Sequence, residues 1–122
     1  VVDCGGLMNN KDYGNIGEAE AISFYIKKGY MVSKPLFENC KYDMVVDDGK
    51  SLFRVQVKTS RHKTEYGKYK VNLRTRGGNR SGTGKVTRIS SEEVDLVFIY
   101  LEDGRIFEFT GSDLEGKSTI NL

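Results

Sequence analysis

The 122 residues are enough for one compact domain with its own hydrophobic core. Hydrophobic residues make up 38% of the chain and charged residues 30%, with a single proline, and this composition fits a folded soluble protein better than a disordered one. No apolar run approaches the roughly 20 residues that cross a bilayer, so the sequence predicts no membrane-spanning helix.

The N-terminal residues and the two cysteines indicate the cellular compartment of the protein. The first ten residues lack the basic and apolar regions of a signal peptide, and Met8 is a candidate natural start with residues 1–7 as an upstream remnant. Cys4 and Cys40 could pair only once, and no Cys/His cluster has zinc spacing. We therefore expect reduced thiols in a cytoplasmic protein.

The charge is unevenly distributed along the chain. Residues 54–88 hold eleven Lys or Arg against one acid, Glu65, a formal charge of +10, while the remainder holds eight basic and sixteen acidic residues, a formal charge of −8. A split of this kind predicts one face that binds a polyanion. A solvated basic loop would give the same count.

The first predicted elements are a helix and a short strand. Residues 15–28 have a mostly helical apolar spacing, with Asn15 as a candidate cap, Glu18 three residues later as in a capping box, and Gly29 as a stop. Residues 30–33 are predicted to form a short strand. Residues 1–14 are accordingly expected to be an N-terminal extension, and residues 15–122 a single domain.

A β-hairpin is the clearest prediction. Two β-prone runs, residues 42–47 and 51–58, flank the turn signal Asp48-Gly49. A turn at those two residues sets Asp43 opposite Arg54, and a turn at Gly49-Lys50 sets it opposite Gln56. Both registers place Asp43 on the same face as Gln56 and Lys58.

The second half of the chain predicts mainly strands. Residues 68–75 alternate between apolar and polar side chains, residues 76–85 form a glycine-rich loop, and residues 94–101 read as a strand buried on both faces. A helical turn is expected near residues 90–93, a second hairpin at Asp103-Gly104 with residues 105–110, and a last short helix at 112–115. The sum is an α/β fold, a central mixed β-sheet flanked by helices.

The predicted hairpin brings an acid, an amide oxygen and an ammonium together. Mg²⁺ prefers oxygen ligands, usually one or two carboxylates with water and phosphate completing the shell. A lysine beside such an ion can orient the attacking water and offset charge on a phosphate. An ordinary amphipathic hairpin with a solvated outer face is the alternative interpretation.

Three motifs in order carry a family resemblance. Gly17-Glu18 opening a helix, Tyr42-Asp43 in a strand and Gln56-Val57-Lys58 in the next strand resemble the motifs of PD-(D/E)xK nucleases, in particular the branch of group I intron homing endonucleases. The likeness extends over residues 27–33, 55–59 and 93–100, and implies a restriction-endonuclease-like core. Tyr42 replaces the usual proline, and Gln56 replaces the usual acid, as it does in that branch.

The resemblance also implies the site. Asp43, Gln56, the Val57 carbonyl and Glu18 would bind Mg²⁺, with Mn²⁺ as a possible substitute, and Lys58 would position the attacking water. The implied catalytic residues are thus Glu18, Asp43, Gln56 and Lys58. Glu18 could instead be only a helix-capping residue, or serve both roles.

The implied substrate is double-stranded DNA, cut by a homodimer or homotetramer, because a chain this small covers few base pairs. We expect DNA contacts from one set of residues in the basic segment: Arg61, His62, Lys63, Lys68, Lys70, Arg74, Arg76, Arg80, Lys85 and Arg88. His62 is expected to face DNA or solvent rather than act as a general base. Tyr13, Tyr66 and Tyr69 could stack on DNA or belong to the core.

Two other functions remain open at this point. A Holliday junction resolvase shares the fold and the site but recognises branched DNA. A non-catalytic DNA-binding domain is the other alternative, because the neutral Gln56 amide is a weaker ligand than a carboxylate.

Overall fold

The computed structural model describes residues 8–76 and 86–122. The predicted glycine-rich loop, Cys4, Arg80, Lys85 and the side chain of Arg76 lie outside the described residues. The described part contains one α-helix and nine strands: α1 Asn10–Lys27, β1 Met31–Ser33, β2 Met44–Asp47, β3 Leu52–Ser60, β4 Lys70–Asn72, β5 Thr75–Arg76, β6 Val86–Thr87, β7 Leu96–Leu101, β8 Ile106–Thr110 and β9 Thr119–Asn121.

Five of the strands form a mixed sheet in the order β1-β2-β3-β7-β8. The pair of β3 and β7 is parallel, with Gln56 beside Val97 and Lys58 beside Ile99, and the other pairs are antiparallel. The central β7 is apolar on both sides, since Val97, Phe98 and Ile99 are all fully buried. This agrees with the predicted buried strand.

One face of the sheet is covered by α1. The helix buries a stripe with a spacing of four residues, formed by Tyr13, Gly17, Ala21 and Tyr25. Ala21 and Tyr25 pack with a set of sheet residues: Met44, Val46, Val55 and Phe98. Small residues in the middle of the stripe let the helix lie close to β3, which matters for the site.

The other face is covered by the segments after β3. β4 pairs with β9 in a two-stranded sheet, and β5 pairs with β6 in another. The second core lies between these segments and the main sheet. Its buried residues are Val97, Ile99 and Leu101 of β7, Val71 of β4, and Tyr69, Leu73, Ile89, Val94 and Leu114 from the segments between strands. The alternation predicted for residues 68–75 is therefore present, although the strand is divided into β4 and β5.

Two predicted elements differ from the structure. The helix begins at Asn10 instead of residue 15, because the side chain of Asn9 accepts the Asp12 amide N–H at 2.8 Å and caps it there. Glu18 therefore lies inside the helix, and its capping-box role is wrong. Residues 112–115 form hydrogen-bonded turns instead of a short helix, whereas the predicted helical turn is present, with the Glu93 and Val94 amides donating to the Ser90 carbonyl at 3.0 Å. The short strands β6 and β9 were not predicted. Within the described residues, no helix combines the length and the apolar character needed to cross a bilayer.

Candidate active site

The β2–β3 hairpin fixes the register of the site. The Asp48 side chain accepts the amide N–H groups of Lys50 and Ser51 at 2.8 Å, and Gly49 adopts the positive φ of 95° that the turn requires. Met44 then pairs with Val55. The observed register is the one predicted for a turn at Gly49-Lys50. One residue beyond the Met44–Val55 pair, the same register sets Asp43 opposite Gln56.

Asp43 is anchored to β3 by backbone and side chain. Its amide N–H donates to the Val55 carbonyl at 2.8 Å, and its Oδ2 accepts the Val57 amide N–H at 2.7 Å. Burial raises the pKa of the Asp43 carboxyl, and the charge of Glu18 raises it further, against the Val57 hydrogen bond and the charges of Lys58 and Lys34. The ionised carboxylate is therefore poorly compensated by the protein alone.

Glu18 reaches Asp43 because α1 lies very close to β3. A Cβ on Gly17 would stand 2.2 Å from the Thr59 Cγ2, so only glycine permits this approach. Glu18 and Asp43 line one cleft of about 400 Å³, together with Lys34 and the loop that follows it. The predicted pairing of these two acids is thus present in the structure.

Lys58 and Gln56 meet at Thr75. The Lys58 ammonium donates to the Arg74 carbonyl and to the Thr75 Oγ1, both at 3.1 Å, and the Gln56 Nε2 donates to the same Thr75 Oγ1 at 3.1 Å. Burial lowers the pKa of Lys58, and the Asp43 charge opposes that shift. Gln56 is only 7% exposed because Thr75 of β5 lies against it, so the interpretation of a solvated outer face is wrong at this residue.

Comparison with known proteins identifies the family. A family model described as PD-(D/E)XK endonuclease matches residues 8–122, nearly the whole chain. The chain belongs to the PD-(D/E)XK endonuclease family. It is therefore a nuclease, a hydrolase that acts on DNA, and nucleases of this family use divalent metal ions. A search of curated protein sequences finds no match.

Two solved structures support the same fold. The bacterial homing endonuclease I-Ssp6803I superposes with a TM-score of 0.80 at 29% identity, over 94% of this chain and 78% of that one. Hjc, a Holliday junction resolvase from the archaeon Archaeoglobus fulgidus, superposes with a TM-score of 0.56 at 15% identity, over 90% of this chain and 83% of that one. At that identity the resolvase shows a shared fold alone.

The residues of this PD-(D/E)XK nuclease fit a hard divalent cation. The Glu18 and Asp43 carboxylates share a cleft, and the raised pKa of Asp43 marks negative charge that a cation would compensate. Within residues 8–76 and 86–122, no three His, Cys, Asp or Glu side chains cluster as a metal site. Two carboxylates with further neutral oxygens suit Mg²⁺, whereas structural zinc needs four nitrogen or sulfur ligands.

The basic residues expected on DNA fall into two groups. The first group is exposed on the surface of the nuclease: His62, Lys63, Lys68, Lys70, Arg74 and Arg88. His62, Lys70 and Arg74 line one cleft of about 290 Å³. Arg61 differs, because its guanidinium binds the Met8 carbonyl and the Asn10 side chain, both at 2.9 Å, and stacks over the Tyr13 ring.

The tyrosines also divide. Tyr13 and Tyr69 are buried in the core, at 8% and 5% exposure, whereas Tyr66 is 84% exposed. Of the three, Tyr66 is therefore the one whose ring is open to a nucleic acid. The Cys40 thiol lies 3.3 Å from the Tyr42 carbonyl oxygen, and Cys4, its only possible disulfide partner, is outside the described residues.

Two residues at the site were missed by the sequence analysis. Thr75 was assigned only to the end of a strand, but its hydroxyl joins Lys58 to Gln56. Lys34 was not considered, yet its ammonium contacts the Glu18 carboxylate. Neither belongs to a motif, and a basic residue directly after a predicted strand was the only available signal for Lys34.

Proposed function

We propose that this chain is a magnesium-dependent homing-type endonuclease that cuts double-stranded DNA. The observation that carries the proposal is that Glu18 of α1 and Asp43 line one cleft, while the half-buried Lys58 of the β2–β3 hairpin extends its ammonium beside Asp43. The similarity to a bacterial homing endonuclease, at 29% identity over 94% of this chain, supports the homing branch.

We propose that the carboxylate oxygens of Asp43 and Glu18 would bind Mg²⁺. The amide oxygen of Gln56 and the backbone carbonyl of Val57 would be the other protein ligands. A bound Mg²⁺ would supply Lewis acidity toward a phosphate oxygen. Asp43 is held for this role by the Val57 amide N–H, which fixes the carboxylate against β3. The side chain therefore needs little reordering when it binds the cation.

Lys58 is positioned to act on the reacting phosphate. Its ammonium is held by the Arg74 carbonyl and the Thr75 hydroxyl, on a half-buried side chain. From there it orients the water that attacks phosphorus and offsets the negative charge that develops on the phosphate as the bond to the leaving oxygen breaks. Because the side chain is partly shielded from water, this electrostatic stabilisation is stronger than it would be in bulk solvent.

The exposed basic residues bind the DNA backbone in this proposal. Lys70 and Arg74 are exposed, whereas Val71 and Leu73 of the same segment are buried in the core. The Arg74 carbonyl also accepts the hydrogen bond from Lys58, so this segment lies next to the proposed site. A DNA strand bound there would pass the acidic pair. Two or four copies of the chain are needed to read a long site and to cut both strands.

One cleavage panel tests the proposal against both alternatives. Purified protein is incubated with linear duplex libraries and with four-way junctions, with Mg²⁺ or with EDTA. A homing endonuclease cuts one sequence class of linear duplex, only with Mg²⁺. Cleavage of junctions irrespective of sequence would instead identify a resolvase, and DNA binding without any cleavage would identify a non-catalytic domain.

A further inference from the structure

A second lysine, Lys34, lies at the acidic pair. It follows β1 directly, and its ammonium forms an ion pair with the Glu18 Oε1. The Lys34 side chain is 52% exposed and the Glu18 side chain 30%, so the pair lies at the mouth of the cleft that contains Asp43. The charge of Lys34 also reaches Asp43.

Lys34 and Lys58 have different partners. Lys58 donates to a carbonyl and a hydroxyl, whereas Lys34 contacts a carboxylate directly. Within the described part of the chain, the three ion pairs are Lys34–Glu18, Arg54–Asp95 and Arg105–Asp103, so Lys34 makes the one that involves the acidic pair. Lys34 thus already contacts one of the two carboxylates of the acidic pair.

We propose that Lys34 is a built-in counterion of the metal site, which holds Glu18 in the metal-free protein and which the metal displaces. This inference rests on the proposed function, because it takes Glu18 as a metal ligand. An ammonium and a divalent cation compete for the lone pairs of the same carboxylate, and two cations close together repel each other. Lys34 therefore lowers the affinity of the site for metal.

The displacement costs little, because the pair is exposed and the lysine stem is flexible. The released ammonium stays at the mouth of the cleft, where a DNA phosphate is its natural next partner. Occupation of Lys34 by phosphate would free Glu18 for the metal. Metal and DNA should therefore bind cooperatively, and the coupling should be reciprocal.

Binding of Mn²⁺ to the DNA-free protein, followed by the electron paramagnetic resonance signal of free Mn²⁺, tests the counterion directly. Lys34→Met should tighten Mn²⁺ binding about three- to tenfold, and the gain should shrink as ionic strength rises. Lys50→Met is the matched control, since it removes one positive charge from the hairpin turn at the far end of β2. It should leave Mn²⁺ affinity unchanged.

Thermal melting provides a second readout that does not depend on cleavage. Without metal, Lys34→Met should melt below the wild type, because Glu18 and Asp43 lose a compensating charge, and Mn²⁺ should raise its melting temperature more than that of the wild type. Equal Mn²⁺ affinity in Lys34→Met and wild type would overturn the counterion role while leaving the metal site intact. No Mn²⁺ binding by the wild type would overturn the proposed metal site itself, and the counterion role with it.

Discussion

Asp43 combines three features at the scale of a single residue: partial burial, a nearby Glu18 charge and one hydrogen bond from the Val57 amide. Burial and Glu18 raise its pKa, and they exceed the compensation from the hydrogen bond and the two lysines. In the metal-free protein, the ionised form of Asp43 is therefore less favourable in the folded state than in the unfolded chain.

Asp43→Asn tests this imbalance. The pKa of Asp43 in the folded protein is above its ordinary value. The contribution of Asp43 to folding stability is therefore fully present when the pH is below the ordinary pKa, and it is lost as the pH rises through the raised pKa. Asparagine keeps an oxygen for the Val57 N–H but carries no charge. In EDTA at pH 7 the variant should melt at or above the wild-type temperature, and divalent metal should no longer stabilise it.

The pH series supplies the control for this prediction. The advantage of Asp43→Asn in EDTA should shrink as pH falls through the raised pKa of Asp43 and disappear near pH 3.8, the ordinary carboxyl value. Glu65→Gln, a charge loss at an exposed acid of the basic segment, should show no such trend. A lower melting temperature for Asp43→Asn at pH 7 would mean that the protein stabilises the ionised carboxylate.

At the scale of elements, the contact between α1 and β3 positions the acids. Gly17 lies against Thr59 and Val57, with no room for a Cβ. Because Glu18 is the next residue, any shift of the helix away from β3 also moves Glu18 away from Asp43. In the Gly17-Glu18 motif, the glycine allows the close packing of α1 on β3, and the glutamate is thereby placed in the cleft of Asp43.

Gly17→Ala should separate the helix from the sheet. We expect a loss of about 1–3 kcal/mol in the free energy of unfolding, measured with urea, and a fall in cleavage rate. Thr59→Ser removes the methyl group that lies 2.2 Å from the added Cβ, so the double variant should recover part of both. Gly14→Ala, whose Cβ would meet nothing within 4 Å, is the control and should be neutral or stabilising.

Local elements were predictable from the sequence, and long-range contacts were not. The hairpin, the buried β7 and the alternation of residues 68–75 follow from turn residues and periodicity, which are local. The pairing of β4 with β9 and of β5 with β6 joins distant segments with no pattern in common. The buried helix stripe was also missed, because its middle residues, Gly17 and Ala21, are small and carry little hydrophobic signal.

The same limit applies to the site. Asp43, Gln56 and Lys58 share a hairpin, so strand alternation alone predicts their common face. The contacts of Thr75 with Gln56 and Lys58, and that of Lys34 with Glu18, depend on the tertiary fold. The residue types alone suggested the proposed chemistry of the site. The burial of Gln56 could be seen only once the position of β5 was known.

At the scale of the whole molecule, the charge of the basic segment is only partly available to DNA. Arg54 forms a two-pronged pair with Asp95, at 3.0 and 3.1 Å, and Arg61 is bound to the start of α1. His62, Lys70 and Arg74 instead line an open cleft. Among the described residues, the exposed basic surface is therefore narrower than the segment's formal charge of +10 suggests.

Replacing Arg74 and Arg76 with Ala should reduce the salt dependence of DNA binding. Each lost phosphate contact lowers the slope of log affinity against log salt by about 0.9, so the pair should flatten it by nearly 2 if both side chains contact phosphate. Affinity should fall alike on all sequences. Alanine at Lys27, in the last turn of α1, is the control. An unchanged slope would show that neither arginine contacts DNA.

The central claim is that Lys58 acts on the phosphate next to the acidic pair, and cleavage compared with binding in Lys58 variants tests it most directly. Lys58→Ala and Lys58→Met, the second of which keeps most of the buried stem, should bind duplex DNA in EDTA nearly as the wild type does. Their single-turnover cleavage in Mg²⁺ should fall by about 100-fold or more. Cleavage at the wild-type rate by either folded variant would contradict the account.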